Sequence, residues 1–179
     1  GGPGAAPPGP GAGGSWALPA LGVDLAWSEE QARRWGLVPP EEAVRVEGYL
    51  GLTYYRKEEP VAFWAHPSVA RYPLTALRHL AGLAEMRLLL GVPPDPRVWR
   101  VSPKPRHPVE EPDGVWLTPE GPVALEYDAG AYARARVKAK GEAFARRFVG
   151  QVWGAPVPER VAYLKTLLPR ARVLLASWA

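Results

Sequence analysis

The chain has no cysteine and no asparagine, and its only glutamines are Gln31 and Gln151. Without thiols there are no disulfides, no zinc–thiolate centres and no cysteine nucleophile. Three histidines are left as imidazole ligands. The scarcity of amides, together with 22 prolines and frequent arginine, avoids heat-labile side chains and stiffens loops, which points to a thermophilic source. Long apolar runs are also missing: LLLGV is far shorter than the roughly 18 residues of a membrane helix. The start has neither the basic segment nor the apolar core of a secretory signal, so a cytoplasmic location is expected. Charge is nearly balanced. A formal net charge of +4 and a pI near 9.5 permit a polyanionic partner without requiring one.

What is present is globular: 47% hydrophobic and 22% charged residues over 179 positions suit one sizeable core, or a compact domain with a small appendage. Residues 1–15, GGPGAAPPGPGAGGS, have no side chains able to bury appreciable area, and read as a disordered tail or linker, from a longer protein or from cloning. Residues 16–72 read as a small winged-helix-like unit. Ser28 caps a short helix with Glu29 and Glu30 in its first turn and Gly36 at its end. A second helix is expected from Pro40 through PPEEAVRVEGYLGL. A hairpin in LTYYRKEEPVAFWAHP turns at residues 57–60. That second helix carries Glu41, Glu42 and Glu47 against Arg45 alone, which disfavours phosphate contact. Arg56 and Lys57 at the hairpin tip are the candidate DNA contacts in this unit.

Residues 73–179 are expected to form an α/β domain. A helix over 75–91 is capped by Thr75, carries the stripe Leu77, Leu80, Ala84 and Leu88, and stops at Gly91. Glu85 interrupts its apolar run. RVWRV, DGVWLTP and PVALEYD read as three strands. A helix from about 131 to 148 follows, then a strand in VGQVWGAP, a helix opened near Pro158, and a last strand in ARVLLASW. A three-strand meander followed by β-α-β crossovers gives a mixed sheet with helices on both faces.

Acidic side chains in apolar strands are costly unless paired, solvated or bound to metal. Alternation puts Glu126 and Asp128 on one face, and a four-residue turn over 119–122 would set Asp113 opposite Asp128. Three clustered carboxylates suit a hard divalent cation, Mg²⁺ or Mn²⁺, and so phosphodiester chemistry. Alternatively, Asp113 caps a turn and Asp128 caps the next helix. In that helix the stripe Ala133, Val137, Lys140, Phe144 and Phe148 turns Lys140 inward. There it either stabilises a phosphorane-like transition state beside the acids or snorkels to solvent.

The run Pro112–Asp113, twelve residues, then Glu126–Tyr127–Asp128 resembles the PD-(D/E)XK signature of restriction-endonuclease-like nucleases. Asp128 stands where active members carry lysine, and Lys140 is placed to substitute for it. Glu85 matches the recurrent carboxylate of the preceding helix. The chain resembles more closely the bacterial replication-relaxation family of plasmids and mobile elements. His79 and Glu85 match its H-x5-E helix, Pro112–Asp113 its PD strand, Glu126 and Asp128 its E-x-D strand, and Lys140 its basic helix. The resemblance implies a restriction-endonuclease-like mixed sheet flanked by helices, preceded by a degenerate winged helix. It also implies DNA-associated work in replication, relaxation or mobilisation. Asp113, Glu126, Lys140 and Glu85 would be the catalytic set, and Asp113, Glu126 and Asp128 the metal ligands. A catalytically inactive DNA-binding or protein-interaction module of a larger replication, mobilisation or defence complex is the alternative. His79 reads as a packed histidine; His66 and His107 lack ligand spacing.

The long helix also has a basic side of Arg134, Arg136, Lys138, Arg146 and Arg147. Arg134 and Lys138 are its foremost candidates to track a DNA backbone, against a solvated thermophilic helix face. Trp99, Trp116 and Trp153 read as core. Trp16, Trp27 and Trp35 could mark a partner surface in the N-terminal unit. A homodimer is left open.

Overall fold

A computed structural model of the chain describes residues 20–103 and 108–179. The expected tail, Trp16 and His107 lie outside the described residues. After a helical stretch at 20–24 come β1 (Ala26–Ser28) and α1 (Glu29–Trp35). Ser28 and Gln31 cap the helix reciprocally, and Gly36 closes it in the left-handed region at φ 66°.

The second helix expected from Pro40 is instead a strand, β2 (Val44–Leu50). Val44, Val46, Gly48 and Leu50 alternate with Arg45, Glu47 and Tyr49, a period of two that the glutamates of the preceding turn masked. Gly48 is required by packing, since a Cβ there would lie 2.7 Å from the Leu74 side chain. β2 pairs antiparallel with β3 (Glu59–Ala65), and β1 flanks β3 on the other side, giving the order β1-β3-β2. The hairpin is therefore longer than expected, with its loop at 51–58. Among the described residues the unit has a three-stranded sheet, with β2 standing where a winged helix would carry its recognition helix.

α2 (Leu74–Leu90) follows, closed by Gly91 at φ 70°. Its N-cap is Pro73, without a side-chain hydrogen bond, so Thr75 sits inside the first turn and does not cap it. The second sheet comprises β4 (Trp99–Val101), β5 (Gly114–Thr118), β6 (Gly121–Tyr127), β7 (Gly150–Ala155) and β8 (Arg172–Leu175), hydrogen-bonded in sequence order. β4, β5 and β6 run antiparallel, and β6, β7 and β8 parallel. The parallel crossovers are α3 (Arg134–Arg147) and α4 (Pro158–Leu167). From α2 onward this is the expected order of elements in a mixed sheet.

The sheet has a different cluster on each face. Leu125, Tyr127 and Val152 pack with Leu77, Leu80 and Leu83 of α2, and the same cluster continues through Phe63, Ala65 and Leu50 of the first sheet. Ala124, Trp153 and Ala155 pack with Val137 and Phe144 of α3 and Leu164 of α4. A buried Asp24–Arg87 ion pair at 2.7 Å ties the N-terminal segment to α2, and Arg87 also donates to the Val92 carbonyl. At the end of the chain Trp178 rests on Phe63, 5.6 Å between ring centroids, and its carbonyl accepts from the Ser28 hydroxyl. Among the described residues no helix is long and apolar enough to cross a membrane.

Two helical glycines, Gly82 in α2 and Gly141 in α3, should respond differently to alanine. At Gly82 a Cβ would stand 2.3 Å from the Tyr127 ring, which is fully buried and fixed through its hydroxyl to the Ala176 carbonyl at 2.8 Å. Gly82→Ala should therefore cost about 1–3 kcal/mol. At Gly141 the clash is with the outer methyl of Leu168, which can turn aside, and helix propensity returns about 1 kcal/mol. Urea midpoints should fall clearly for the first variant and little or not at all for the second.

Candidate active site

Thr118 pairs with Gly121, so only Pro119 and Glu120 lie between the paired residues of β5 and β6. The turn is thus shorter by two residues than the expected 119–122. Because side chains alternate with period two, a two-residue shift keeps Asp113 on the expected face but aligns it with Glu126 instead of Asp128. The Asp113 amide donates to Glu126 Oε1 at 3.1 Å, and the Tyr127 amide donates to Asp113 Oδ2 at 2.8 Å. Both carboxylates are buried.

Lys140 meets them from α3. Its amine lies 3.3 Å from Glu126 Oε2, and neither side chain is exposed at all. It does not snorkel. Oε2 is fully enclosed, and the amine stands equally far, 3.3 Å, from it and from the Glu111 carbonyl to which it donates. Burial first, and the charge of Asp113 second, raise the Glu126 pKa well above the ordinary carboxylate range, against the opposing pull of Lys140. Tyr132, absent from the sequence-based candidates, borders the same acids. Burial and then the charges of Glu126 and Asp113 hold its phenol protonated, and the Lys140 amine lies 5.7 Å from its ring centroid.

Asp128 is engaged elsewhere. Its Oδ1 accepts from the Gly130 amide at 2.6 Å, and its Oδ2 takes both Nε and Nη2 of Arg160 at 3.1 and 2.8 Å. Among the described residues no three His, Cys, Asp or Glu side chains gather as a metal-binding group, so the three expected carboxylates do not converge. Two carboxylates, with waters and a substrate phosphate completing the shell, still satisfy the oxygen preference of Mg²⁺. The buried Oε2 of Glu126, which has the Lys140 amine beside it at 3.3 Å, is a fitting donor. Arg160 is the other residue that sequence reasoning missed. It sits in the first turn of α4, and nothing in the spacing links it to Asp128.

Glu85 is not brought to these acids. α2 lies on the opposite face of the sheet, with Gly82 against Tyr127, and the Glu85 carboxylate accepts from Gln31 Nε2 and Trp35 Nε1, both at 3.0 Å. Trp35 is partly exposed, whereas Trp27 is fully buried and donates to Asp24, so it marks no partner surface. His79 packs edge-on to Tyr127 at 5.8 Å. Of the expected DNA contacts, Arg56 pairs with Glu159 at 2.6 Å, while Lys57, Arg134 and Lys138 are exposed.

No protein-family model, no curated protein and no solved structure matches the chain.

A buried acid with a raised pKa binds more protons folded than unfolded between its two pKa values, so stability falls as pH rises through that window. Removing Lys140 deepens this loss, because the Glu126 charge is then uncompensated. Lys140→Met should lose more stability, relative to the native chain, at mildly alkaline than at mildly acidic pH. The double variant Glu126→Gln/Lys140→Met should be as stable as the native chain or more stable by about 1–4 kcal/mol. Chemical denaturation across pH checks both expectations.

Proposed function

We propose that this chain is a DNA-associated protein of a plasmid or mobile element, similar to the replication-relaxation family. Its second sheet would be a restriction-endonuclease-like domain with a metal-dependent phosphodiester site at Asp113, Glu126 and Lys140. The observation that carries this reading is the meeting of two carboxylates from paired strands with a fully buried lysine from the following helix. The order of elements from α2 onward agrees with it. Such an arrangement costs stability and has no packing rationale, which is the usual mark of groups kept for chemistry.

Asp113 and Glu126 would hold Mg²⁺ or Mn²⁺, which when bound supplies Lewis acidity and an activated water. Lys140 holds positive charge at Glu126 and is placed to stabilise charge developing on a phosphoryl group. Asp128 acts through position: by holding Arg160 and the Gly130 amide it fixes the segment that carries Tyr132, whose carbonyl accepts from Arg160 at 3.0 Å. Arg134 and Lys138 on the exposed side of α3 are available to the DNA backbone.

A second reading, a catalytically inactive DNA-binding or protein-interaction module of a larger complex, is favoured by the complete burial of Glu126 and Lys140 and by the commitment of Asp128 to Arg160.

With supercoiled plasmid and Mn²⁺ the native chain should produce nicked circles. Asp113→Ala should abolish them, and Lys140→Met should slow them by about 10²- to 10³-fold. Asp128→Asn should lower thermal stability while leaving the Mn²⁺ requirement unchanged. Activity unaffected by Asp113→Ala would remove the site. Absence of nicking with retention on DNA would select the second reading. Under either reading, DNA affinity should fall with salt, and Arg134→Ala/Lys138→Ala should flatten the log–log slope by about 0.9 per lost phosphate contact.

A further inference from the structure

A cavity of about 200 Å³ opens beside Asp113, lined among others by Tyr54, Thr75, Arg78, His79 and Ser102. It runs along α2 from Thr75 in the first turn to Leu83, and no side chain caps the start of this 17-residue helix. Its first amides and helix dipole therefore favour an anion there. Arg78, one turn further along, is an independent pointer. The side chain is only 4% exposed. Its Nη1 donates to the Gly51 carbonyl at 2.8 Å, yet its Nε is buried with no hydrogen-bond partner. A buried guanidinium left with a spare donor at an uncapped helix end is poised for an oxyanion, phosphate above all. The volume is below the roughly 300–1,000 Å³ of whole small-molecule sites, so a phosphate group fits where a complete nucleotide would not.

The rim shows where the rest of a nucleotide goes. Tyr54 and Tyr55 are 64% and 80% exposed and stand edge-to-face, 5.1 Å between centroids. Their loop is held in place: the Tyr54 amide donates to the Ala129 carbonyl at 2.9 Å, and the Arg56 amide to the Thr53 carbonyl at 3.2 Å. Two large rings are thus presented to solvent on a fixed backbone beside the phosphate-sized cavity. Bases inside a duplex stack on one another and leave such rings unused, whereas unstacked bases stack on aromatic side chains.

We propose that this cavity and its rim bind one nucleotide of single-stranded DNA, with the phosphate between the α2 N-terminus and Arg78 and the base on the Tyr54–Tyr55 pair. The inference rests on the DNA-directed reading above and narrows its substrate to unpaired strands. Asp113 borders the same cavity, so the strand held on the α2 side would reach the edge of the proposed metal site, whose Glu126 and Lys140 face α3.

Fluorescence polarisation with labelled poly-dT and with a duplex of equal length, in EDTA to prevent cleavage, tests it. The single strand should bind at least about tenfold more tightly than the duplex. Tyr54→Ala/Tyr55→Ala should weaken single-strand binding by about tenfold or more without changing duplex binding or thermal stability, and Tyr54→Phe/Tyr55→Phe should retain it. Arg78→Gln, with folding verified by circular dichroism, should also weaken single-strand binding. Equal affinity for both forms, or tyrosine variants without effect, would overturn the inference; Asp113-dependent plasmid nicking would still support the proposed function. Failure to bind DNA of either form would overturn both.

Discussion

A lysine with no exposed surface, Lys140, governs the C-terminal half of the chain. The effective penalty for burying an ammonium is several kcal/mol, recovered only by a close opposite charge. Glu126 supplies that charge, and it can do so only because β6 turns its even-numbered residues toward α3 while Leu125 and Tyr127 face α2. The rotation of α3, the side of the sheet it covers and the short β5–β6 turn are all consistent with this one contact. Asp113, set opposite Glu126 by that register, adds a second negative charge beside it. Under the proposed function a divalent cation would bind there.

The opposite layer works differently. There Asp24, Arg87, Gln31 and Glu85 form paired, hydrogen-bonded contacts that attach the N-terminal sheet to α2, and a continuous apolar cluster passes from Phe63 to Tyr127. These polar groups have hydrogen-bond partners, whereas among the described residues Glu126 Oε2, Arg78 Nε and the indole nitrogens of the core residues Trp99 and Trp178 are buried without one. Glu85 belongs with the satisfied groups: its position before the PD strand fits a catalytic pattern, but its carboxylate accepts from Gln31 and Trp35 of α1.

Much of this was legible in the sequence, for specific reasons. Strand alternation put Glu126 and Asp128 on one face, while the turn expected to bring Asp113 there was two residues too long and its face survived only because that shift is even; the spacing of Val137, Lys140 and Phe144 turned the lysine inward. The order of elements from α2 onward followed from periodicity and from Gly91 and Pro158. Propensity failed at residues 44–50, where glutamates and Pro40 suggested a helix start while the valines were already alternating. Spacing also failed for Asp128, because its partner Arg160 lies on another helix, and for Tyr132 and Arg78, whose roles arise from what surrounds them. Long-range partners of that kind leave no local periodic signal.

The central claim is that Asp113 and Glu126 form a two-carboxylate cation site beside Lys140. Anomalous scattering from crystals soaked in Mn²⁺ tests it most directly. The account predicts a single strong peak between the two carboxylates, lost in Asp113→Asn. A Mn²⁺-soaked crystal with no density there, and with Lys140 still paired to Glu126, would contradict it and leave the cluster as a buried ion pair.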